Sequence, residues 1–117
     1  MKASIRTKLE HLTDRLDEID RMLAAEHAAA DLEQFRRLSR ERSELEPVVA
    51  HYAAFRQVEA DLREAEALLA DPEMRDFAAE EMAVARARVP ELEIELQKLL
   101  LPRDPNDERS VILEIRA

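Results

Sequence analysis

The fold is decided first by residues 5–23, which read IRTKLEHLTDRLDEIDRML. Apolar residues recur along this stretch in steps of four and three, at positions 5, 9, 12, 16, 19 and 23. Such steps put the apolar side chains on one face of an α-helix, while charged residues such as Lys8 and Glu10 occupy the other faces. The pattern predicts a first helix over residues 3–25. Three heptads suit a short helical bundle better than a long coiled coil.

The second helix is predicted over residues 32–70, after a tight turn near residues 26–30. Asp31 precedes Gln34 by three residues, which is the spacing of a capping box at a helix start. Beyond it, apolar residues continue at steps of three, four or seven as far as Leu69. Pro47 removes one helical hydrogen bond, and because the apolar register continues past it, we expect a kink rather than a break.

A third helix is predicted over residues 72–101. Asp71, Pro72 and Glu73 form a helix-start signal, with aspartate as the N-cap and proline at the first helical position. The helix then carries an apolar stripe of eight residues, and Pro90 is expected to bend the helix. The stripe consists of Met74, Ala78, Met82, Ala85, Val89, Leu92, Leu96 and Leu99.

The end of the sequence changes character after residue 101. Two prolines and several polar residues predict a linker loop over residues 102–110. Apolar residues then alternate at positions 111, 113 and 115, which predicts a β-strand over residues 111–117. A lone strand needs a partner, so we expect the chain to end where a following mixed α/β domain begins. The predicted architecture is all-α, an antiparallel three-helix bundle with a short C-terminal strand orphaned from the next domain.

Composition excludes several classes of function. The sequence contains no glycine, where roughly eight would be average for this length, so phosphate-binding loops and nucleophile elbows are excluded. It contains no cysteine, which excludes disulfides and thiolate metal sites. The net charge of −9 argues against non-specific binding to nucleic acid. With no signal-peptide pattern and no long apolar run, we expect a cytoplasmic protein.

No catalytic, cofactor-binding or metal-binding residue is predicted, and we do not expect an enzyme. The three histidines lie far apart in sequence, and the many carboxylates are distributed as solvated helix faces are.

One candidate interaction surface is predicted, a basic cluster in the second helix. It could dock on ribosomal RNA or on an acidic partner. Local pairing of Glu33 with Arg37 and of Arg40 with Glu44 would instead make it an ordinary helix surface, and the sequence favours this second interpretation. The cluster consists of Arg36, Arg37, Arg40 and Arg42.

The order of segments resembles the first domain of bacterial class-I peptide chain release factors. The resemblance begins in residues 1–10 and 35–41, sharpens in residues 69–75, and is strongest in residues 99–107 and 111–117. It is closer to the factors that read UAG and UAA than to the UGA-reading paralogue. It covers essentially the whole sequence, but about the first third of a full-length factor.

The resemblance implies a part in translation termination. The family reads a stop codon on the ribosome and triggers release of the nascent peptide through a Gly-Gly-Gln motif. Codon reading uses a Pro-x-Thr-type tripeptide, and neither motif is present here. The remaining helical domain would contact the ribosome near the base of the large-subunit stalk and the class-II GTPase release factor. The implied role is positioning, without cofactor, membrane, DNA or small-molecule substrate.

Two other hypotheses stay open on the sequence. Periodicity alone fits a free-standing helical adaptor or coiled-coil scaffold equally well. A tRNA-binding helical arm, such as some synthetases carry, is disfavoured by the net charge of −9 and by the lack of a basic stripe.

Overall fold

The computed structural model describes residues 1–101 and contains three α-helices over that range. Helix α1 spans Ala3–Leu23, α2 spans Leu32–Leu68 and α3 spans Arg75–Leu100, with a short 3-10 turn at Ala28–Ala30. The predicted all-α class is confirmed. The predicted linker loop over residues 102–110 and the predicted strand over residues 111–117 lie outside the described residues.

The chain divides into two compact units, Met1–Ala54 and Phe55–Ala117, and the boundary falls within α2. The first unit is a helical hairpin formed by α1 and the first part of α2. The second contains the remainder of α2, the turn that follows it and α3.

In the first unit the predicted apolar stripe of α1 forms one side of the core. Three of its six residues, Leu9, Leu16 and Ile19, are buried, and the other three are half-buried. The opposing side comes from α2, where the hydroxyl of Tyr52 donates to Glu10 of α1 at 3.0 Å. Nearer the turn, Arg15 of α1 pairs with Glu41 of α2, so the two segments run antiparallel. The buried residues of this unit are Leu9, Leu16, Ile19, Val48 and Tyr52.

The connection between α1 and α2 reverses the chain without glycine. No residue of the described range has a positive φ, the region that favours glycine. The reversal instead uses successive tight turns, in which Ala28 N–H donates to the Ala25 carbonyl and Ala30 N–H to the His27 carbonyl. Helix α2 then begins at Leu32, as predicted, and the carboxylate of Asp31 accepts the backbone N–H of Gln34 at 3.1 Å.

In the second unit the core is richer in small residues. Three of its buried positions are alanine, and alanine lets two helices approach closely because the interaxial distance depends on the side chains at the contact. Five of the eight positions of the predicted α3 stripe are buried, and Met74, Val89 and Leu99 are half-buried. The buried residues of this unit are Phe55, Ala65, Ala78, Met82, Ala85, Leu92 and Leu96.

The predicted start of α3 at Pro72 is wrong by three residues. Residues 71–74 form a separate turn in which Met74 N–H donates to the Asp71 carbonyl at 3.0 Å. The Asp71 side chain accepts the N–H of Glu73, so it stabilises this turn rather than capping the helix. The helix itself follows Met74, which makes no side-chain capping bond.

The two prolines inside helices do not end them. Helix α2 continues through Pro47 and α3 continues through Pro90. A proline lacks the N–H that would bond to the carbonyl four residues earlier, but the surrounding turns of both helices are retained. The outer ends of the helices lie one or two residues inside the predicted bounds, at Leu23, Leu68 and Leu100.

Candidate interaction surface

The four arginines predicted as an interaction surface all lie in the first three turns of α2. The capped start at Leu32 fixes the phase of this helix and so fixes the direction of each side chain. Arg36 and Arg40 are one helical turn apart and therefore share a face. Arg36, Arg37 and Arg40 are exposed, whereas Arg42 is half-buried.

Arg42 is separated from the other three by its contacts. Its Nε lies 2.6 Å from Oδ1 of Asp20 in α1, and its Nη1 lies 2.5 Å from Oε2 of Glu46. The hydrogen bond that Arg42 donates to Asp20 raises the pKa of its guanidinium above the ordinary value. Arg42 therefore links the two helices of the hairpin, and we remove it from the candidate surface.

A second link across the hairpin was not predicted. Arg15 of α1 contacts the carboxylate of Glu41 with two nitrogens, at 2.7 Å and 2.8 Å, and a third nitrogen contacts Glu18 at 2.5 Å. A two-point contact of this kind is geometrically specific. The hydrogen bonds that Arg15 donates lower the pKa of Glu41, and because the Glu41 carboxylate accepts them, the same bonds raise the pKa of Arg15.

The local pairs that would have explained the cluster do not form. Neither Glu33 with Arg37 nor Arg40 with Glu44 is among the ion pairs within residues 1–101. Glu41, which lies one turn beyond Arg37, is bound to Arg15 instead. Arg36, Arg37 and Arg40 thus present guanidinium groups that no carboxylate of the described range neutralises. We call these three residues the arginine patch.

Next to the arginine patch is an open depression at the closed end of the hairpin. Its volume is about 350 Å³, and its apolar floor is formed by Met22 and Leu38. Arg37 lines one side, and the paired Arg15 and Glu41 line another. A neighbouring depression of about 460 Å³ shares Met22 and Leu38 and extends along the connection toward His27. The patch therefore borders a concave surface that can receive a projecting group of a partner.

The described residues provide no arrangement that suggests metal chemistry. No cluster of three histidine, aspartate or glutamate side chains that could hold a metal ion occurs within residues 1–101. His11 and His27 are exposed, and Nδ1 of His51 lies 2.9 Å from the carbonyl oxygen of Pro47 in its own helix. None of the helices in that range has the combined length and apolar character that a membrane crossing requires.

Comparison with known proteins gives the family. The model of the PCRF domain matches residues 12–117 of the sequence. The chain belongs to the PCRF domain family. That match covers α2, α3 and most of α1, so it includes both the arginine patch and the pairs that link the hairpin.

Individual relatives of this PCRF domain agree with the family match. The sequence is 54% identical over all 117 residues to "Peptide chain release factor 1" of Burkholderia multivorans. It is 53% identical over the same length to "Peptide chain release factor 1" of Burkholderia thailandensis. In both comparisons the chain spans 32% of the relative's length. The resemblance noted from the sequence is confirmed, and the shared region is about a third of those proteins.

Proposed function

We propose that this PCRF domain is the N-terminal interaction domain of a cytoplasmic translation termination factor. In the full-length protein, other domains would read UAG and UAA and direct release of the nascent peptide. This domain would help to position the factor on the ribosome, near the base of the large-subunit stalk, and would contact the class-II GTPase release factor. It would carry no catalytic step of its own.

The observation that carries this proposal is the 54% identity over the whole chain to a protein named peptide chain release factor 1. The assignment of chemistry to other domains rests on composition, since a sequence without glycine cannot contain a Gly-Gly-Gln motif. A free-standing adaptor or scaffold, which periodicity alone would allow, is not favoured by the family match.

Within this role, we propose that the arginine patch binds phosphates of ribosomal RNA. Arginine presents a planar fork of donors that matches phosphate geometry, and its charge does not titrate away. The net charge of the chain is −9, so a ribosome-facing surface needs a local positive region to offset repulsion from RNA. The patch supplies three such charges without internal partners in the described range.

The proposal is tested by measuring how the 117-residue chain co-sediments with 70S ribosomes at several salt concentrations. The triple variant R36Q/R37Q/R40Q should bind about tenfold more weakly at low salt. The slope of its log affinity against log salt concentration should also be smaller in magnitude by up to about three. Each lost phosphate contact removes roughly one unit of that slope.

The matched control removes three other exposed arginines for which no ion pair is found within residues 1–101, in the variant R21Q/R63Q/R86Q. This variant has the same net charge as the patch variant and should bind much as the unmodified chain does. Equal losses in both variants would mean that bulk charge alone matters, and no loss in either would contradict the role of the patch. A patch effect without any change in salt slope would contradict contact with phosphates, because each such contact should contribute to the slope.

A further inference from the structure

A groove in the second unit, between the end of α2 and the start of α3, is unlike the arginine patch in charge and chemistry. Its volume is about 250 Å³. From α2 it is lined by one stripe of residues at positions 61, 64, 65 and 68, and from α3 by positions 77 and 81. We call it the acidic groove. Its lining residues are Asp61, Glu64, Ala65, Leu68, Phe77 and Glu81.

The floor of the acidic groove is apolar and contains an aromatic ring that is open to solvent. Phe77 is 50% exposed, although phenylalanine is among the residues most often found inside proteins. It lies beside Ala65, which is buried, and Leu68, which is half-buried. An exposed aromatic ring in a concave apolar surface is the usual form of an anchor point for a partner side chain.

The rim of the acidic groove carries three carboxylates and no cation. Asp61, Glu64 and Glu81 line it, and none of them takes part in an ion pair within residues 1–101. Asp61 accepts a neutral hydrogen bond from the amide of Gln57 at 2.9 Å. Arg75, close to Phe77 in sequence, directs its Nε to the carbonyl of Leu69 at 3.4 Å rather than to these carboxylates.

We propose that the acidic groove is a docking site for a basic segment of a partner protein, one that presents arginine beside an aliphatic residue. The aliphatic side chain would cover the Phe77 ring and the apolar floor. The arginine would place its guanidinium against the exposed part of the ring face and direct its donors to the carboxylates of the rim. Nucleic acid does not fit this surface, because three carboxylates repel a phosphate backbone. The site is separate from the arginine patch in sequence, in unit and in sign of charge.

The site is tested by fluorescence anisotropy with the 117-residue chain and a defined probe, a fluorescein-labelled peptide of four Leu-Arg-Arg repeats. The variant D61N/E64Q/E81Q should bind this peptide about tenfold more weakly than the unmodified chain. The variant F77A should bind it about fivefold more weakly, because the apolar anchor is lost while all three charges remain.

Two matched controls separate this groove from general attraction to an acidic protein. D14N/D17N/E44Q also removes three exposed carboxylates without ion pairs in the described range, and V84A also truncates an exposed apolar residue of α3. Both should change the affinity less than twofold. Equal losses in the groove and control variants would overturn the proposal, as would an absence of binding by the unmodified chain. Circular dichroism of each variant shows whether a loss comes from unfolding, and a folded F77A that binds normally would also overturn it.

Discussion

The two units of this domain are built from helical segments with the same apolar periodicity, yet their buried residues differ in size, and the first unit has two ion-pair links between α1 and α2. In the first unit, side chains on α1 and α2 are joined by specific polar contacts, including Arg15 with Glu41 and Arg42 with Asp20. In the second unit, the ion pairs observed at Arg88 and Lys98 are local, at 3.7 Å and 3.9 Å to residues of the same helix.

The cores of the two units also differ in the size of their buried side chains. The buried residues of the first unit are all large, from Leu9 to Tyr52, whereas three of the seven in the second unit are alanine. A buried alanine removes little apolar surface from water, so it contributes less through transfer than a leucine does. Its contribution is to let the helices approach closely enough for the larger residues to be covered. The second unit therefore depends on a few large side chains and on the smallness of the alanines around them.

The largest effect is expected from removing one of those large side chains. Leu92 is 6% exposed, and Leu92→Ala should lower the free energy of unfolding by about 2–5 kcal/mol, through lost transfer energy and the cavity left behind. The measurement is urea denaturation followed by circular dichroism.

The control for this substitution is Ile94→Ala, two residues further along the same helix. Ile94 is 52% exposed, so its truncation should change the free energy of unfolding by no more than about 0.5 kcal/mol. Similar urea midpoints for the two variants would show that the face of α3 that contains Leu92 is not the buried one.

A smaller loss of stability is expected from enlarging a buried alanine, which overpacks the core instead of leaving a cavity. Ala78 is fully buried in α3, and Ala78→Leu should destabilise the domain by about 1–3 kcal/mol because the added atoms force the helices apart. The adjacent Ala79 is exposed, and Ala79→Leu adds the same atoms without that clash. Thermal or urea unfolding of the pair measures the difference. If Ala78→Leu were as stable as Ala79→Leu, close packing would not distinguish the second unit.

The sequence predicted the buried faces of the helices because that information is local. A helix repeats every 3.6 residues, so apolar steps of three and four leave one face that can be covered. All the buried residues of α1 and α3, Leu9 and Leu92 among them, belong to the predicted stripes. The start of α2 was equally local, since Asp31 and its acceptor bond to Gln34 involve neighbouring residues.

The candidate site was predicted less well because it depends on contacts between helices. Arg15 and Glu41 are 26 residues apart, and whether they meet depends on the relative rotation of α1 and α2. The i,i+4 pairing rule concerns residues of one helix, so it paired Glu33 with Arg37 and could not include Arg15 of α1. An antiparallel register of the predicted hairpin, written out residue by residue, would have placed Arg15 near Glu41 and Arg42 near Asp20.

The start of α3 shows a different limit. Asp71, Pro72 and Glu73 fit a helix N-terminus, and they also fit a turn, because aspartate before proline serves both. The outcome is decided by the hydrogen bond from Met74 N–H to the Asp71 carbonyl, which closes a separate turn before the helix begins. The next bond of the helical type runs from Ala78 N–H to the Met74 carbonyl.

The smallest effect is expected from the polar link between Arg15 of α1 and Glu41 of α2, and it should depend on pH. Hydrogen bonds from Arg15 hold the pKa of Glu41 below its ordinary value in the folded protein. The resulting stability is therefore present above the unfolded pKa of about 4.3 and is lost as pH falls through the lower folded pKa. The side chains of Arg15 and Glu41 are 37% and 40% exposed, so solvent screening limits the contribution to about 0.2–1 kcal/mol. Urea denaturation of the unmodified chain and of Glu41→Gln should show this difference at pH 7 and a smaller one below about pH 4.

Glu44→Gln is the matched control for Glu41→Gln, because Glu44 lies on the same helix and forms no ion pair within residues 1–101. It should leave the urea midpoint unchanged at neutral pH. A Glu41→Gln effect that stays constant from pH 7 to pH 3.5 would mean that packing of the side chain, rather than its charge, joins the helices.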